Sequence, residues 1–257
     1  MRKSSLKNNK YIVVSTVIII IFWQLISIGV DNQIIMPGIQ SIILEIKRIL
    51  VNGDFISLTY YSLIRCFISF FISIIVGVIL GTLSYFNKFI YNFIFPILMI
   101  IKSVPTMAFI VLVLVWISKE IAPILIGIII SLPIFYDVTI NSLINADDKL
   151  IEMCKLYKVR KIDMVKKIYL PLIIISTNNI LSSTISLIFK VVIAGEVYAQ
   201  PKYGIGAAIQ LEKMKLNTAG IITWIIIIAI ITIAVDRILK ISFKKSNKWK
   251  GEEIYIN

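Results

Sequence analysis

The sequence predicts an all-α membrane protein with six transmembrane helices, and three observations carry that expectation. The chain of 257 residues is 58% apolar and 16% charged. An ordinary soluble domain is about 45–50% apolar and about 25% charged, so this chain has too little polar surface to wrap a core. Its mean hydropathy is +0.93. Six apolar segments, 11–30, 58–86, 89–117, 121–143, 171–199 and 219–239, each reach the roughly 20 residues that a helix needs to span a bilayer.

The first segment, YIVVSTVIIIIFWQLISIGV, follows the basic leader MRKSSLKNNK. Its apolar run exceeds the roughly 7–15 residues of a signal core, and Ser27-Ile28-Gly29 is a poor cleavage site, so it reads as a retained anchor. After Pro37-Gly38, residues Ile39, Ile42, Ile43, Ile46, Ile49 and Leu50 fall at helical spacing opposite Gln40, Ser41, Glu45, Lys47 and Arg48. That stripe predicts an amphipathic helix at the outer surface or against the bundle. Residues 1–57 thus hold an anchor and an amphipathic helix, 58–240 the core, and 241–257 a basic tail.

The third span is interrupted by Lys102-Ser103-Val104-Pro105. A proline inside a span removes a helix hydrogen bond and kinks it, which a membrane tolerates where neighbours or a cavity satisfy the freed carbonyl. Pro133 is expected to bend the fourth span in the same way. Between spans four and five, the loop 144–169 carries two apolar faces, Leu150, Ile151, Cys154 and Tyr157, then Ile162, Val165, Ile168 and Tyr169. The cluster Lys158 to Lys161 separates them, which predicts two short helices joined by a basic bend, followed at once by Leu170-Pro171. So small a hairpin has no core of its own, and its exposed apolar face reads as a docking surface.

The net charge of +13 is distributed by topology. With the N-terminus inside, the inner segments hold 18 Lys and Arg, the outer segments 6, and Arg65, Lys102 and Lys190 lie within spans. Cytoplasmic loops carry such an excess, which places both termini in the cytoplasm and gives the C-terminal cluster Lys240, Lys244, Lys245, Lys248 and Lys250 a topology-anchoring role at the bilayer. Nucleic acid is not the partner this pattern indicates. Histidine is absent, and Cys66 and Cys154 sit in an apolar run and a charged loop, so neither a His-dependent zinc site nor a disulfide is expected. No Gly-Lys dipeptide occurs, hence no nucleotide-binding loop of the Walker type. No catalytic group, metal or cofactor is read from the chain, and if ATP drives it, another chain must bind the ATP.

Ionisable groups within spans cost about 2.5–3.5 kcal/mol each on insertion scales and are functional candidates by default. They are Arg65, Lys102, Asp137, Lys190 and Glu196. Three cations against one outer carboxylate suggest a path hospitable to small anions. The structural alternative pairs Arg65 with Glu196 and lets Lys102 and Lys190 reach water or carbonyl groups. Asp137, near the inner surface, is expected to snorkel or to pair with loop lysines. Lys190 and Glu196 stand about 240° apart on a helix and would meet only if Gly195 broke it. A secondary transporter or channel driven by an ion gradient competes with an ATP-coupled subunit, but it would need an acidic or His relay, and only Asp137 and Glu196 are available.

The loop carries the sharpest signal. Permease subunits of ATP-binding-cassette importers share a loop that begins Glu-Ala-Ala, continues to a glycine turn and closes with Leu-Pro. Here Glu152 is followed by Met153 and Cys154, Lys158 follows Tyr157 at the glycine position, and Leu170-Pro171 close the loop in register. Ser62-Leu63-Ile64-Arg65 followed by Gly77 and Gly81, with Ser69 where a glycine is usual, resembles the second-span pattern of the taurine, nitrate and sulfonate-type permeases. Lys102-Ser103-Val104-Pro105-Thr106-Met107-Ala108 resembles their basic segment, and Glu196 with Gly204-Ile205-Gly206 resembles their Glu followed by Gly-Leu-Gly.

This resemblance implies a type I importer permease core working as a homodimer in a bacterial cytoplasmic membrane, with two cytoplasmic ATPase subunits and an external solute-binding protein. It implies ATPase coupling by Glu152, Met153, Cys154, Tyr157, Lys158, Leu170 and Pro171. The substrate-path candidates are Arg65, Lys102, Pro105, Lys190 and Glu196, for a small organic solute, of which an anion is one class. A left-handed backbone at Lys158 would cost roughly 1 kcal/mol relative to glycine, and Pro171 is expected to form a corner between loop and span.

Overall fold

The computed structural model describes residues 9–51 and 53–252. The first eight residues of the basic leader, the end of the tail after residue 252 and the side chains of the C-terminal lysine cluster lie outside the described residues. In chain order the helices are α1 (Asn9–Val30), α2 (Ile39–Val51), α3 (Asp54–Phe86), α4 (Lys88–Ser103), α5 (Thr106–Trp116), α6 (Ala122–Ile144), α7 (Asp148–Leu156), α8 (Lys161–Met164), α9 (Leu170–Ala199), α10 (Ile205–Met214) and α11 (Thr218–Glu252), with a π-helical turn at Val165–Tyr169. Among the described residues there is no strand. Five helical stretches are long and apolar enough to cross a membrane, and α4 with α5 makes a sixth if that pair, bent by 107°, is one span. Five of the six expected spans are matched by such helices, and the third expected span is divided into α4 and α5 by a sharp bend.

Helix ends follow local chemistry. Asn87 caps α4, its side chain accepting from Phe89 N–H at 2.9 Å, and Asp147 caps α7 by accepting from Lys149 N–H at 3.0 Å, each satisfying a donor the helix cannot. Among the described residues, the non-glycine positions with positive φ are Asp31, Lys158, Gln200 and Leu216, all just past a helix end, where a left-handed residue closes the last turn.

The chain divides into two compact units. One comprises the chain up to Ile56 together with Ile209–Ile228. Here the Trp23 indole donates to Pro37 O at 3.1 Å, Ser27 Oγ to Met36 O at 2.9 Å, and Gln24 Oε1 accepts from Ile39 N–H at 3.1 Å. These bonds from α1 fix the start of α2. Of the amphipathic stripe, Ile42 and Ile49 are buried while Ile43 and Leu50 stay exposed, and Arg48 on the polar side pairs with Glu45 at 2.7 Å and Glu212 at 2.8 Å. Ile39, Ile42, Ile43 and Ile46 border an apolar cavity of about 430 Å³ shared with α1 and α11.

The other unit comprises Ser57–Ala208 and the chain from Ala229 onward. Its centre is α6, whose Ile126 and Phe135 are fully buried. A Cβ on Gly77 would lie 2.6 Å from Phe135 Cβ, and one on Gly81 2.9 Å from Thr139 Cβ. Small residues thus let α3 and α6 approach closely, as membrane helices require where lipid supplies no hydrophobic drive. The same face of α3 bonds across: Ser69 Oγ donates to either Arg65 O or Ile124 O, 2.8 and 2.9 Å away, and the Ser131 and Ser73 hydroxyls lie 2.6 Å apart. Ser69 therefore occupies a usual glycine position because Gly127 faces it, where a Cβ would come within 2.6 Å of Ser69 Oγ. Pro133 sits buried inside an uninterrupted α6.

Candidate functional site: a buried ion-pair cluster, a broken span and a helical hairpin

At the C-terminal end of α9 the carboxylate of Glu196, with no exposed surface, receives three kinds of donor. Arg65 Nη1 lies 2.8 Å from Oε1, the Ser62 hydroxyl lies 2.9 and 2.7 Å from the two oxygens, and Gly206 N–H donates to Oε2 at 3.0 Å. Ser62 Oγ in turn accepts from Ile205 N–H at 2.9 Å. Arg65 spends its other donors nearby. Its Nη1 reaches Tyr203 O at 2.6 Å, its Nε reaches Glu120 O at 3.3 Å, and its Nη2 reaches Glu120 Oε2 at 2.8 Å.

The turn after α9 makes this possible. Gln200 adopts φ 49°, its N–H bonding Glu196 O, and the chain then folds back so that the start of α10 sits on the carboxylate. A Cβ on Gly204 would stand 2.7 Å from Glu196 Oε2, and one on Gly206 2.5 Å from both Glu196 Cβ and Ile193 O. The Gly-x-Gly pattern is thus a requirement of close backbone approach. A negative charge at the N-terminus of α10 also suits the helix dipole. α9 runs unbroken through Gly195, so Glu196 takes Arg65 as its partner and Lys190 does not reach it.

The remaining ionisable groups of the spans lie elsewhere. Lys102 Nζ meets Asp137 Oδ2 at 2.6 Å, with side chains 37% and 39% exposed. The expectation that Asp137 pairs with loop lysines is thereby replaced. The partner is Lys102 because Leu98 on α4 packs with Tyr136 and Ile140 on α6, which brings the next turn of α4 to Asp137. Pro105 caps α5 with φ −56°, and the exposed residues Lys102, Ser103 and Pro105 lie at the break. Lys190 is exposed on α9, where Asn179 and Ser183 are exposed at helical spacing. The sequence suggests three buried cations, whereas among the described residues one span cation, Arg65, is buried, and it already carries two carboxylates.

At the other end of α9, about 39 Å away along the helix axis, lies the hairpin. α7 ends in a Schellman closure: Lys158 N–H bonds Lys155 O at 3.1 Å, Val159 N–H bonds Cys154 O at 2.9 Å, and Lys158 has φ 51°. Lys158 therefore holds the left-handed position that glycine fills best. Cys154 is buried, and Ile151, Met164 and Ile168 pack against Leu143, Tyr169 and Ile173. Glu152 is exposed, as are Met153, Leu156, Tyr157 and Ile162, with Leu156 81% and Tyr157 78% exposed.

Pro171 does not form a corner. The chain is helical from Lys161 to Ala199, and the π turn immediately before Leu170 and Pro171, with Leu170 N–H bonded to Val165 O, is the local distortion there. Proline in a helix clashes with the carbonyl four residues back and leaves it without a donor, and widening the preceding turn is one way a helix absorbs this. The second arm of the hairpin is consequently continuous with the span.

Residues 73–248 match the family described as binding-protein-dependent transport system inner membrane component. The chain belongs to this family. It is thus the membrane translocation subunit of a binding-protein-dependent importer, an all-helical multi-pass membrane protein. It is 24% identical over 242 residues, 91% of this chain and 85% of the relative, to a protein named as the aliphatic sulfonates transport permease SsuC of Bacillus subtilis (strain 168). Two solved structures of the MetNI methionine ABC transporter in inward-facing conformations share its fold. One is 19% identical with a TM-score of 0.57, covering 72% of this chain and 94% of that one. The other is 21% identical with a TM-score of 0.60, covering 75% and 95%.

Of the candidates read from sequence, the permease brings Arg65 and Glu196 together, separates Lys102 and Lys190 from them, and gathers Glu152 to Lys158 on one hairpin. Glu120 is not among those candidates. A Lys-Glu pair between two spans looks like an ordinary loop charge, and only the fold shows that it completes the valence of Arg65.

Proposed function

We propose that two copies of this permease form the pathway of an ATP-driven importer in a bacterial cytoplasmic membrane, carrying a small organic anion of the aliphatic sulfonate class handed over by an external binding protein. The observation that carries the reading is the hairpin: an apolar, exposed surface around Leu156, Tyr157 and Ile162, with no core of its own, joined by one continuous helix to the Glu196 cluster. Docked on a cytoplasmic ATPase, such a surface is covered. A tilt of the hairpin is then delivered along α9, because helical continuity at Leu170 and Pro171 leaves no joint to absorb it. Glu152, Met153, Tyr157 and Lys158 form the docking side with Cys154 buried beneath it, and both termini face the cytoplasm with the hairpin, in keeping with the excess of Lys and Arg.

In this reading residues 1–57 are an accessory anchor, 58–240 the translocating core and 241–257 a cytoplasmic tail. Arg65 and Glu196 hold the shape of the core, while Lys102, Pro105 and Lys190 face the path. The relationship to a sulfonate permease supports the solute class, and two exposed cations, Lys102 and Lys190, on span helices agree with it.

Co-purification with the cytoplasmic ATPase tests the reading. The wild-type chain should retain the ATPase, and Tyr157→Asp with Leu156→Asp should release it while leaving membrane insertion intact. Hydrolysis of ATP by the pure polypeptide, or full retention of the ATPase by that double variant, would overturn it.

A further inference from the structure

Lys102 and Asp137 meet at the only place among the described residues where a span is interrupted by a sharp bend. Residues 102, 103, 105, 107 and 108 are exposed there, including non-helical backbone between α4 and α5. At membrane depth such backbone is tolerated only where protein buries it or where it borders water. A half-exposed ion pair at the same spot points the same way, since ionisable groups in spans line aqueous routes or pair with one another.

This pair does both. It is positioned by Leu98 packing with Tyr136 and Ile140, and its short Lys102–Asp137 contact lies apart from the hydroxyl, guanidinium and backbone amide that hold Glu196. Lys102 stands at the C-terminal end of α4, where a cation is favoured by the helix dipole, and it keeps that position whichever anion it faces.

We infer that Asp137 is a built-in counter-ion which an anionic solute must displace from Lys102, making Asp137 a specificity-determining residue of the pathway. The inference rests on the importer reading for its solute class. A neutral solute gains nothing by approaching the pair. A sulfonate or carboxylate exchanges one oxyanion for another, so Lys102 remains neutralised throughout and the solute is held weakly enough to leave. An ion pair more than a third exposed is worth up to about fivefold in an equilibrium constant, and this sets the scale of the competition.

The test uses the full chain in lipid nanodiscs, without ATP or partners. Lys102 is acetylated with an amine-reactive ester and its modification is read by peptide mass spectrometry, in the presence of increasing ethanesulfonate or of neutral dimethyl sulfone. Ethanesulfonate should protect Lys102 and dimethyl sulfone should not. In Asp137→Asn protection should occur at about fivefold lower concentration, and Asp137→Glu should behave as the wild type. Equal protection concentrations in wild type and Asp137→Asn would overturn the inference. Should the Asn variant fail to fold, absence of protection by ethanesulfonate in the wild type, or equal protection by the sulfone, overturns it equally. Because the measurement involves no ATPase, its failure is distinct from failure of docking.

Discussion

Arg65 with Glu196 and Lys102 with Asp137 are pairs of opposite charge within the spans, and they are built in opposite ways. Arg65, 5% exposed, and Glu196, fully buried, are surrounded by Ser62, Glu120, Tyr203 O and two backbone amides at the start of α10. Lys102 and Asp137 pair through one short contact and are each more than a third exposed. A buried charge is tolerable only when its partners are complete, so the first pair has become a structural joint tying α3, the turn before α6, α9 and the start of α10 together. The second keeps access to its surroundings and can change partners. The lesson is that an ionisable residue in a span cannot be assigned to a pathway by its presence alone. The number of protein groups already satisfying it separates the two roles.

The largest effect should come from breaking the buried joint. Arg65→Ala leaves the fully buried Glu196 carboxylate without a cation, and loss of one partner of a buried pair costs about 3–5 kcal/mol. Thermal unfolding of the detergent-solubilised chain should show a large drop in midpoint. Little or no change would mean that the joint does not support the core.

Next is the backbone that approaches Glu196. Gly206→Ala places a methyl group where 2.5 Å separates it from Glu196 Cβ and Ile193 O, and backbone oxygen cannot move aside cheaply. Overpacking of this kind costs about 1–3 kcal/mol. The same unfolding measurement should place this variant between wild type and Arg65→Ala, and wild-type stability would show that the turn after Gln200 relaxes freely.

At the far end of α9 the sign reverses. Lys158 sits at φ 51°, a conformation that costs an L-residue roughly 1 kcal/mol or more and glycine almost nothing. Lys158→Gly should raise the free energy of the hairpin's local unfolding, followed by hydrogen exchange at Tyr157 and Val159, by about 1 kcal/mol, with ATPase docking retained. Faster exchange at these amides would mean that the lysine side chain contributes contacts that outweigh its backbone strain.

How much of this is legible in the sequence follows from the range of the interactions. The spans are readable because apolar length alone decides them, and α2 because its stripe recurs every third or fourth residue. The hairpin is readable from local spacing, and the strain at Lys158 only from the resemblance that sets it at a glycine position. The sequence leaves open whether Arg65 and Glu196, 131 positions apart, pair with each other or line a path, and nothing in either neighbourhood can close that question. Glu120 and Asp137 are not recognisable as partners of Arg65 and Lys102, because pairing across helices depends on packing, here Leu98 against Tyr136, that no local pattern encodes. Pro171 reads as a corner because proline breaks helices in isolation, whereas a π turn lets this helix continue.

The smallest effect is also the sharpest check on the contrast. A double-mutant cycle on Lys102→Met and Asp137→Asn isolates what the exposed pair contributes to folding, since each change removes the pairing and the double variant leaves no stranded charge. With more than a third of each side chain exposed, the coupling energy should not exceed about 1 kcal/mol. The parallel cycle on Arg65→Met and Glu196→Gln should give a value several times larger, because Arg65→Met strands the fully buried Glu196 carboxylate, which water cannot reach. Both cycles read the same quantity in the same detergent, the unfolding midpoint converted to free energy, so the effect of the detergent itself cancels. A coupling for Lys102 and Asp137 as large as that for Arg65 and Glu196 would erase the distinction. The exposed pair would then be a second joint, and displacement of Asp137 by a solute would be too costly to serve transport.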